Sequence, residues 1–320
     1  MKCKTCLLTD DIVTIHADGE CEFCKLHQKI IREYKLQDLD VVLKKIRKVK
    51  GKYNCLIGIS GGFDSSIMLH KAVKVWGLNP LVIHFDNHYN TPEADHNIIQ
   101  LVKQLGVDFV RYFVNKHEFD EINRAFLLAG TPDCDIPYDM VYTAFLFKAA
   151  RQYKIKYILN GNNPKTEGSQ PLKYSYMDAK YIQDVYNKFY GEKVTLPIFT
   201  FKDQLYYAWK GHTQIRPFYY IDIDFEAEKN RLIKNYGLKD YGYKHAENIY
   251  TDFVGAYLLP SKFQIDKRIV YLSARIRSGV ITKEQAIEIL NTKRELPQPV
   301  LMLAEKFSKE IKSPVRDRSE

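Results

Sequence analysis

The chain has 320 residues, 45% of them hydrophobic, with 48 Lys and Arg against 39 Asp and Glu and a formal charge of +9. This length and apolar content allow one large or two modest domains with a sizeable core, and exclude a wholly disordered chain. No apolar run approaches the roughly 18 residues that span a bilayer, and the opening Met1-Lys2-Cys3-Lys4-Thr5-Cys6 turns acidic at Asp10-Asp11 without a secretion pattern, so a cytoplasmic protein with no membrane insertion is expected. The positive balance suits either nucleic acid or small polyanions, and with no long basic tract it does not choose between them.

The first element is a cysteine module. Cys3 and Cys6 form one C-x-x-C, Cys21 and Cys24 another, with fourteen residues between the pairs. Each pair presents two thiolates from a tight knuckle, and two knuckles complete a closed tetrahedral site for structural Zn2+. The spacing falls just below the usual range of about 15–20 residues. Asp18-Gly19 supplies a turn before the second knuckle. So short a segment buries little core, so metal would supply its folding energy. Two disulfides are the alternative, which a cytoplasmic setting disfavours. The module is assigned to residues 1–28.

Residues 29–50 alternate basic and apolar positions at helical spacing and predict one connecting helix. The apolar run at 54–59 predicts a strand, and Ser60-Gly61-Gly62-Phe63-Asp64-Ser65-Ser66 then feeds the helical pattern from Ser66 to Val73. A strand, a glycine turn and a helix N-terminus aim backbone N–H groups at one point and make an anion site. Gly61 and Gly62 let a ligand approach the backbone, the hydroxyls of Ser60, Ser65 and Ser66 add donors, and Asp64 can hold a metal ion. The next strand is read at 81–85, followed by a helix from Thr91-Pro92 to Gly106, a strand at about 109–114, a helix at 138–152, a strand at 157–160 and a last one at 214–220. Strands alternating with helices indicate an α/β fold with a doubly wound parallel sheet over 29–225. Residues 226–312 read as helical, with Thr282-Lys283-Glu284-Gln285 as a capping box, and 313–320 as a charged, disordered tail.

Ligands of such sheets bind beyond the carboxyl ends of the strands at the topological switch point. That selects Ser60 to Ser66, Asp86 at the end of the second strand, Asn160, Gly161, Asn162 and Asn163 after the fourth, and Arg216 at the end of the last. Asn-Gly is also ordinary turn chemistry, and Arg216 suits a phosphate or a structural ion pair equally. Cys55 falls inside the first strand, and Cys134 stands alone in the polar loop 131–135.

Ser60-Gly61-Gly62-Phe63-Asp64-Ser65 resembles the S-G-G-x-D-S signature of the PP-loop ATP pyrophosphatase superfamily, the adenine nucleotide alpha-hydrolase-like fold. Its members split ATP between the α and β phosphates and transfer AMP to a substrate oxygen. Farther on, Tyr236 to Asn248, Tyr257 to Phe263, Ile265 to Arg268, and the run from Leu272 to Ala286 resemble the N-acetyl sugar amidotransferases of bacterial surface-polysaccharide and lipopolysaccharide (O-antigen) synthesis; Asn248 stands where that family is expected to carry a serine. The resemblance implies conversion of a sugar N-acetyl group to an acetamidino group through adenylation of the amide oxygen. In it Gly61, Gly62, Ser65 and Ser66 cradle phosphates, Asp64 holds Mg2+, Asp86 and Asn162 seat the nucleoside, and Lys244, His245 and Glu247 clamp phosphate and orient the substrate. A solvated helix face is the bland reading of Lys-His-x-Glu.

Glutaminases need an activated cysteine, yet residue 2 is Lys and no Gly-x-Cys-x-Gly occurs. Ammonia is therefore expected from a separate glutaminase and a channelling subunit, resembling the two parts of imidazole glycerol phosphate synthase. The alternative is a PP-loop tRNA thiolase. That chemistry calls for further cysteines near the nucleotide, and Cys134 has no C-x-x-C partner, so no nucleic acid is expected as a partner.

Overall fold

The computed structural model describes residues 1–35 and 37–312, so the tail expected at 313–320 lies outside the described residues. In the cysteine module Lys2 pairs with Thr9, and Ile15 with Cys21, both antiparallel. The Gly19 N–H donates to the His16 carbonyl across the turn that Asp18-Gly19 predicts.

Helix α1, Glu22–Lys35, grows out of the second knuckle, and α2, Leu39–Arg47, follows it. The single helix read over 29–50 is thus two. The Asp38 carboxylate accepts from the Asp40 N–H and caps a fresh N-terminus, which interrupts the periodic stretch. Strand β1, Cys55–Gly58, leads into α3, Phe63–His70, which runs on through a π-type turn at Lys71–Val75. Strand β2, Pro80–Asp86, precedes α4, Pro92–Leu105. Thr91 caps that helix by accepting from the Ala94 N–H, Pro92 opens it, and Gly106 ends it in the left-handed conformation, all as the sequence predicts.

Next come β3 (Asp108–Phe113), α5 (Lys116–Ala129), α6 (Ile136–Gln152), β4 (Tyr157–Leu159), α7 (Ala179–Tyr190), α8 (Phe201–Trp209) and β5 (Thr213–Ile215). The sequence reading leaves α5, α7 and α8 unassigned, although Asn115, Asp178 and Thr200 cap them and Gly130 and Gly191 end the first two. Strand β5 is shorter than its apolar run. Pro217 has no N–H for the ladder, and residues 217–219 tighten into a 3-10 turn. The remaining helices are α9 (Phe225–Tyr236), α10 (Ile249–Asp252), α11 (Leu259–Phe263), α12 (Arg268–Arg277), α13 (Lys283–Asn291) and α14 (Gln298–Lys312), and Thr282 and Gln285 form the predicted capping box of α13.

The five strands make one parallel sheet in the order β3-β2-β1-β4-β5. Strand order reverses at β1, so the switch point lies between β1 and β4, where Leu56 pairs with Ile158 and Ile57 with Leu159. Side chains alternate across the sheet. Ile57 and Val82 pack with α3, α4 and α9 on one face, while Leu56, Leu81, Ile83 and Ile158 pack with α6 and Tyr207 of α8 on the other. A third cluster joins α5, α6 and α7 to Tyr250, Phe253, Leu303 and Phe307, so the C-terminal helices share a core with the α/β part. The cysteine module docks on α12 and α13: Val270 joins its apolar cluster, the Leu7 N–H donates to Ser273 Oγ at 3.2 Å, and Lys283 Nζ donates to the Cys3 carbonyl at 3.0 Å.

Gly61 has φ +84°, and a Cβ there would lie 2.5 Å from the Ala94 carbonyl oxygen. Gly61→Ala is therefore expected to lose about 2–4 kcal/mol of stability in urea unfolding. Gly77→Ala is the control, with φ +61° but nothing within 4 Å of the added carbon; it should cost about 1 kcal/mol.

Candidate active site

A cleft of about 1620 Å³ opens where the loops after β1 and β4 meet. The two loops touch: a Cβ on Gly161 would lie 2.9 Å from the Asp64 carbonyl. On one wall the N-terminus of α3 brings its dipole to the cleft. Ser60 and Ser65 shape this loop from within. Their hydroxyls lie 3.3 Å apart, Ser65 Oγ accepts from the Ser60 N–H and donates to the Gly62 carbonyl, and Ser60 Oγ accepts from the Gly62 N–H. The Phe63 N–H donates to Tyr241 Oη at 2.9 Å, and the two rings stack.

At the centre, Lys244 Nζ lies 2.6 Å from Asp64 Oδ2, 3.3 Å from Thr166 Oγ1 and 3.4 Å from Glu167 Oε1. Thr166 also donates to Asp64 Oδ1 at 3.2 Å. The β4 loop holds Glu167 through the Asn162 side-chain amide, whose oxygen accepts from Tyr219 Oη at 2.8 Å. Burial pushes the Glu167 carboxyl up, against the attraction of Lys244. Asp64 and Glu167 outweigh burial for Lys244 and hold its ammonium above the usual lysine range.

Lys-His-x-Glu forms no helix face. It is a turn lining the cleft, half-buried. His245 has φ +64°, a costly conformation for a residue with a side chain, and its ring lies 5.3 Å from that of Tyr271. Burial, with Lys244 and Lys267 beside it, pushes His245 well below the usual imidazole range and keeps it neutral. The turn is clipped to the segment after β2. The Thr91 N–H donates to the Glu247 carbonyl at 2.9 Å, the Ile249 N–H to the Tyr89 carbonyl at 2.7 Å, and Asn248 Nδ2 to Asn87 Oδ1 at 2.9 Å. Asn248 also caps α10 by accepting from the Thr251 N–H. Glu247 Oε1 lies 2.6 Å from where a Cβ on Gly62 would sit, and its Oε2 is buried with no hydrogen-bond partner among the described residues. Burial pushes this carboxyl up to about 7.

Not every expected residue reaches the cleft. Asp86 does not line it. Its carboxylate is buried in an ion pair with Arg111 at 2.5 Å and accepts from the His88 N–H, so it fixes the end of β2 against β3. Ser66 is fully buried and does not line the cleft, and its hydroxyl has no hydrogen-bond partner among the described residues. Gly61 is the close contact to α4 described above. Arg216 does line the cleft, with its guanidinium 5.8 Å from the Tyr219 ring centre.

Sequence reasoning misses a second group of residues lining the same cleft: Asp135, Asp139, Tyr138, Tyr142, Lys267 and Tyr271. Asp135 and Asp139 stand one turn apart at the start of α6, and Thr251 donates to Asp135 at 3.2 Å. Burial, then the charge of Asp135, pushes Asp139 up to about 7. The available signals were Lys267, inside the 265–268 segment, and the acidic loop before α6.

The four knuckle cysteines are buried and free, with ligand atoms all within 4.8 Å of one another. Cys3 and Cys24 sulfurs lie 3.9 Å apart, and those of Cys6 and Cys21 3.7 Å. Metal–sulfur bonds of about 2.3 Å in a tetrahedron place sulfurs about 3.8 Å apart, so the cluster fits a metal ion. Cys134 is sealed: its thiol donates to the Thr131 carbonyl at 3.0 Å, and burial pushes it up to about 12.

A five-stranded parallel sheet with this glycine loop at its switch point defines an α/β fold with its cleft at the carboxyl ends of the strands. Residues 247–314 match the family model "LPS biosynthesis protein WbpG-like, C-terminal domain", so that part of the chain is similar to this family. "Uncharacterized protein MJ1599" of Methanocaldococcus jannaschii is 24% identical over 167 residues, 51% of this chain and 59% of that protein. The "GMP synthase [glutamine-hydrolyzing]" of Streptococcus pneumoniae is 28% identical over 132 residues, 38% of this chain and 24% of that protein. The chain thus matches only part of the length of each of these relatives. An NH3-dependent NAD synthetase structure from Campylobacter jejuni aligns with 85% of this chain and 99% of its own at a TM-score of 0.40 and 10% identity.

Glu247 and Asp139 carry a sign for pH. Their ordinary values are 4.5 and 3.8, and both rise to about 7. Between those limits the folded chain keeps protons the unfolded chain has lost, so stability contributed below about pH 4 is lost as pH rises through 7. Glu247→Gln removes that penalty and is expected to be about 2 kcal/mol more stable than the parent at pH 8 and little changed at pH 4, measured by urea unfolding at both.

Proposed function

We propose that this chain is an ATP-dependent carbon–nitrogen ligase, forming AMP and pyrophosphate, that converts an N-acetyl group on a sugar or nucleotide sugar to an acetamidino group in surface-polysaccharide synthesis. One observation carries the reading. The 236–286 block, which overlaps the WbpG-like match, delivers Lys244, Glu247, Lys267 and Tyr271 into the cleft that holds the 60–66 loop. A relative whose name states glutamine hydrolysis supports nitrogen transfer as the class of chemistry.

In this reading the amide oxygen attacks the α phosphorus of ATP and pyrophosphate leaves, giving an O-adenylyl imidate. The 60–66 backbone, the N-terminus of α3 and Lys244 hold the charge that gathers on the pyrophosphate, without reorganising. Arg216 and Asn162 seat the nucleotide from the β4–β5 side. Ammonia then attacks the imidate carbon, one proton is lost and AMP departs, leaving the amidine. Asp139, with a carboxyl near 7, is matched to take that proton at neutral pH.

The partnerless oxygen of Glu247 beside Asp64 fits a hard cation. Asp64 and Glu247 would hold Mg2+, which neutralises phosphate charge when bound. The cysteine cluster would hold Zn2+ with no open position, a structural role. Residues 1–28 thus act as a zinc ribbon, 29–225 as the ATP-binding part and 226–312 as the substrate or partner region. With Cys55 and Cys134 both buried, no cysteine outside the knuckles is free to make ammonia from glutamine. A separate glutaminase with a channelling subunit supplies it. The sealed Cys134 also disfavours sulfur transfer. Among the described residues no helix is long and apolar enough to cross a membrane, and the cytoplasm is the proposed compartment.

With Mg-ATP, ammonium and a panel of N-acetyl nucleotide sugars, the chain should release AMP only with its substrate and yield a product in which oxygen is replaced by NH, read by mass. Sugar-independent AMP release or sulfur incorporation into tRNA would sink the proposal. Lys244→Ala is expected to lower kcat/KM by about 10²–10³ with the fold retained by circular dichroism. Metal analysis should find one zinc per chain, and chelation under reducing conditions should lower the melting temperature by several degrees, on the order of 5 °C.

A further inference from the structure

Helix α8 carries an apolar line that nothing in the proposed reaction uses. Phe201, Leu205 and Trp209 are 70%, 56% and 77% exposed and recur at i, i+4 and i+8, so they project in one row along a helix about 13 Å long. Its other face is anchored, with Tyr207 buried against Phe147 and Phe199. The exposed row is therefore held rigidly.

Cations flank this row. Exposed Lys202 and Lys210 lie on α8 or at its end, and Lys210 Nζ sits 4.2 Å from the Trp209 ring centre. Arg151, at the end of α6, lies 5.4 Å from the Tyr206 ring centre, and the Lys156 side chain approaches Gly211. Exposed Lys148 stands one turn before Arg151 on α6. The one carboxylate on α8, Asp203, is turned into the capping box with Thr200, accepting from its N–H at 2.8 Å.

We propose that α8 and its basic margin dock the protein on an anionic phospholipid surface, with Phe201, Leu205 and Trp209 entering the headgroup region. An amphipathic helix lying in the interface uses this arrangement: apolar residues in a row, an aromatic ring at headgroup level, and Lys or Arg stems reaching out to phosphates. The row is convex and one helix wide, so it needs no shape-matched partner. A two-fold contact between copies would set the basic margin against itself. This is docking on a surface by α8 and its basic margin, independent of the proposed reaction.

The chain has two tryptophans, and Trp76 is 7% exposed, so Trp209 dominates any change in emission at the surface. The full chain is mixed with vesicles of equal phosphatidylglycerol and phosphatidylcholine, or of phosphatidylcholine alone. Expected are cosedimentation at least about tenfold stronger with the anionic vesicles, a blue shift of tryptophan emission, and weakening in 0.5 M salt. The triple variant Phe201→Ser, Leu205→Ser, Trp209→Ser should lose about tenfold or more of that binding while keeping the parent's circular dichroism and melting temperature. The pair Lys202→Glu, Lys210→Glu should lose the preference for anionic lipid with the apolar row intact. Equal cosedimentation of parent and triple variant overturns the proposal. So does absence of vesicle binding, whether the triple variant instead dissolves a self-associated dimer or abolishes binding to a purified ammonia-supplying subunit.

Discussion

Three residues, Glu247, Asn248 and Ile249, clip the start of the C-terminal region to the segment between β2 and α4, and the cleft depends on that clip. Two backbone hydrogen bonds, to Tyr89 and from Thr91, and one side-chain bond between Asn248 and Asn87 fix its register. With the clip in place, Lys244 reaches Asp64 and Glu167, His245 is held at positive φ, and Glu247 lies beside Gly62. Without it the glycine loop would remain an anion site with one wall. The buried Asn248 side chain serves both ends of the clip, donating to Asn87 and accepting from the Thr251 N–H that opens α10.

The cleft gathers more charge than it exposes. Lys244 has carboxylates on two sides, Glu247 and Asp139 are buried enough for their carboxyls to rise to about 7, and His245 is driven neutral. Titratable groups pushed from their ordinary values by burial and specific neighbours are a mark of functional sites. Here they fall in two sets, one beside the glycine loop and one at the start of α6. The cysteine module stands behind this arrangement, docked on α12, whose Tyr271 lines the cleft.

Much of the frame was legible along the chain. Cys3, Cys6, Cys21 and Cys24 announce their cluster because two short knuckles need only local spacing. The strands β1 to β4 and the capped helix α4 follow from apolar runs, Thr91, Pro92 and Gly106. Other features resisted for physical reasons. Asp86 sits at a strand end, where the switch-point rule selects it, but Arg111 from the neighbouring strand claims its carboxylate. Helices α5, α7 and α8 carry polar residues among their apolar ones, and their caps are single residues that also suit turns. The split between α1 and α2 turned on one Asp38 carboxylate.

By itself the sequence determined the local machinery: a four-cysteine module, a glycine turn between strand and helix, and a parallel sheet that places that turn at its rim. These depend on spacing, period and backbone freedom, which are written along the chain. Only the tertiary structure decided which distant groups share the cleft: Lys244 with Asp64 across 180 residues, Asp139 with Lys267, and α8 left bare on the outside. Those meetings are set by how helices from the two ends of the chain pack around a common core, and no local pattern encodes the distance between them.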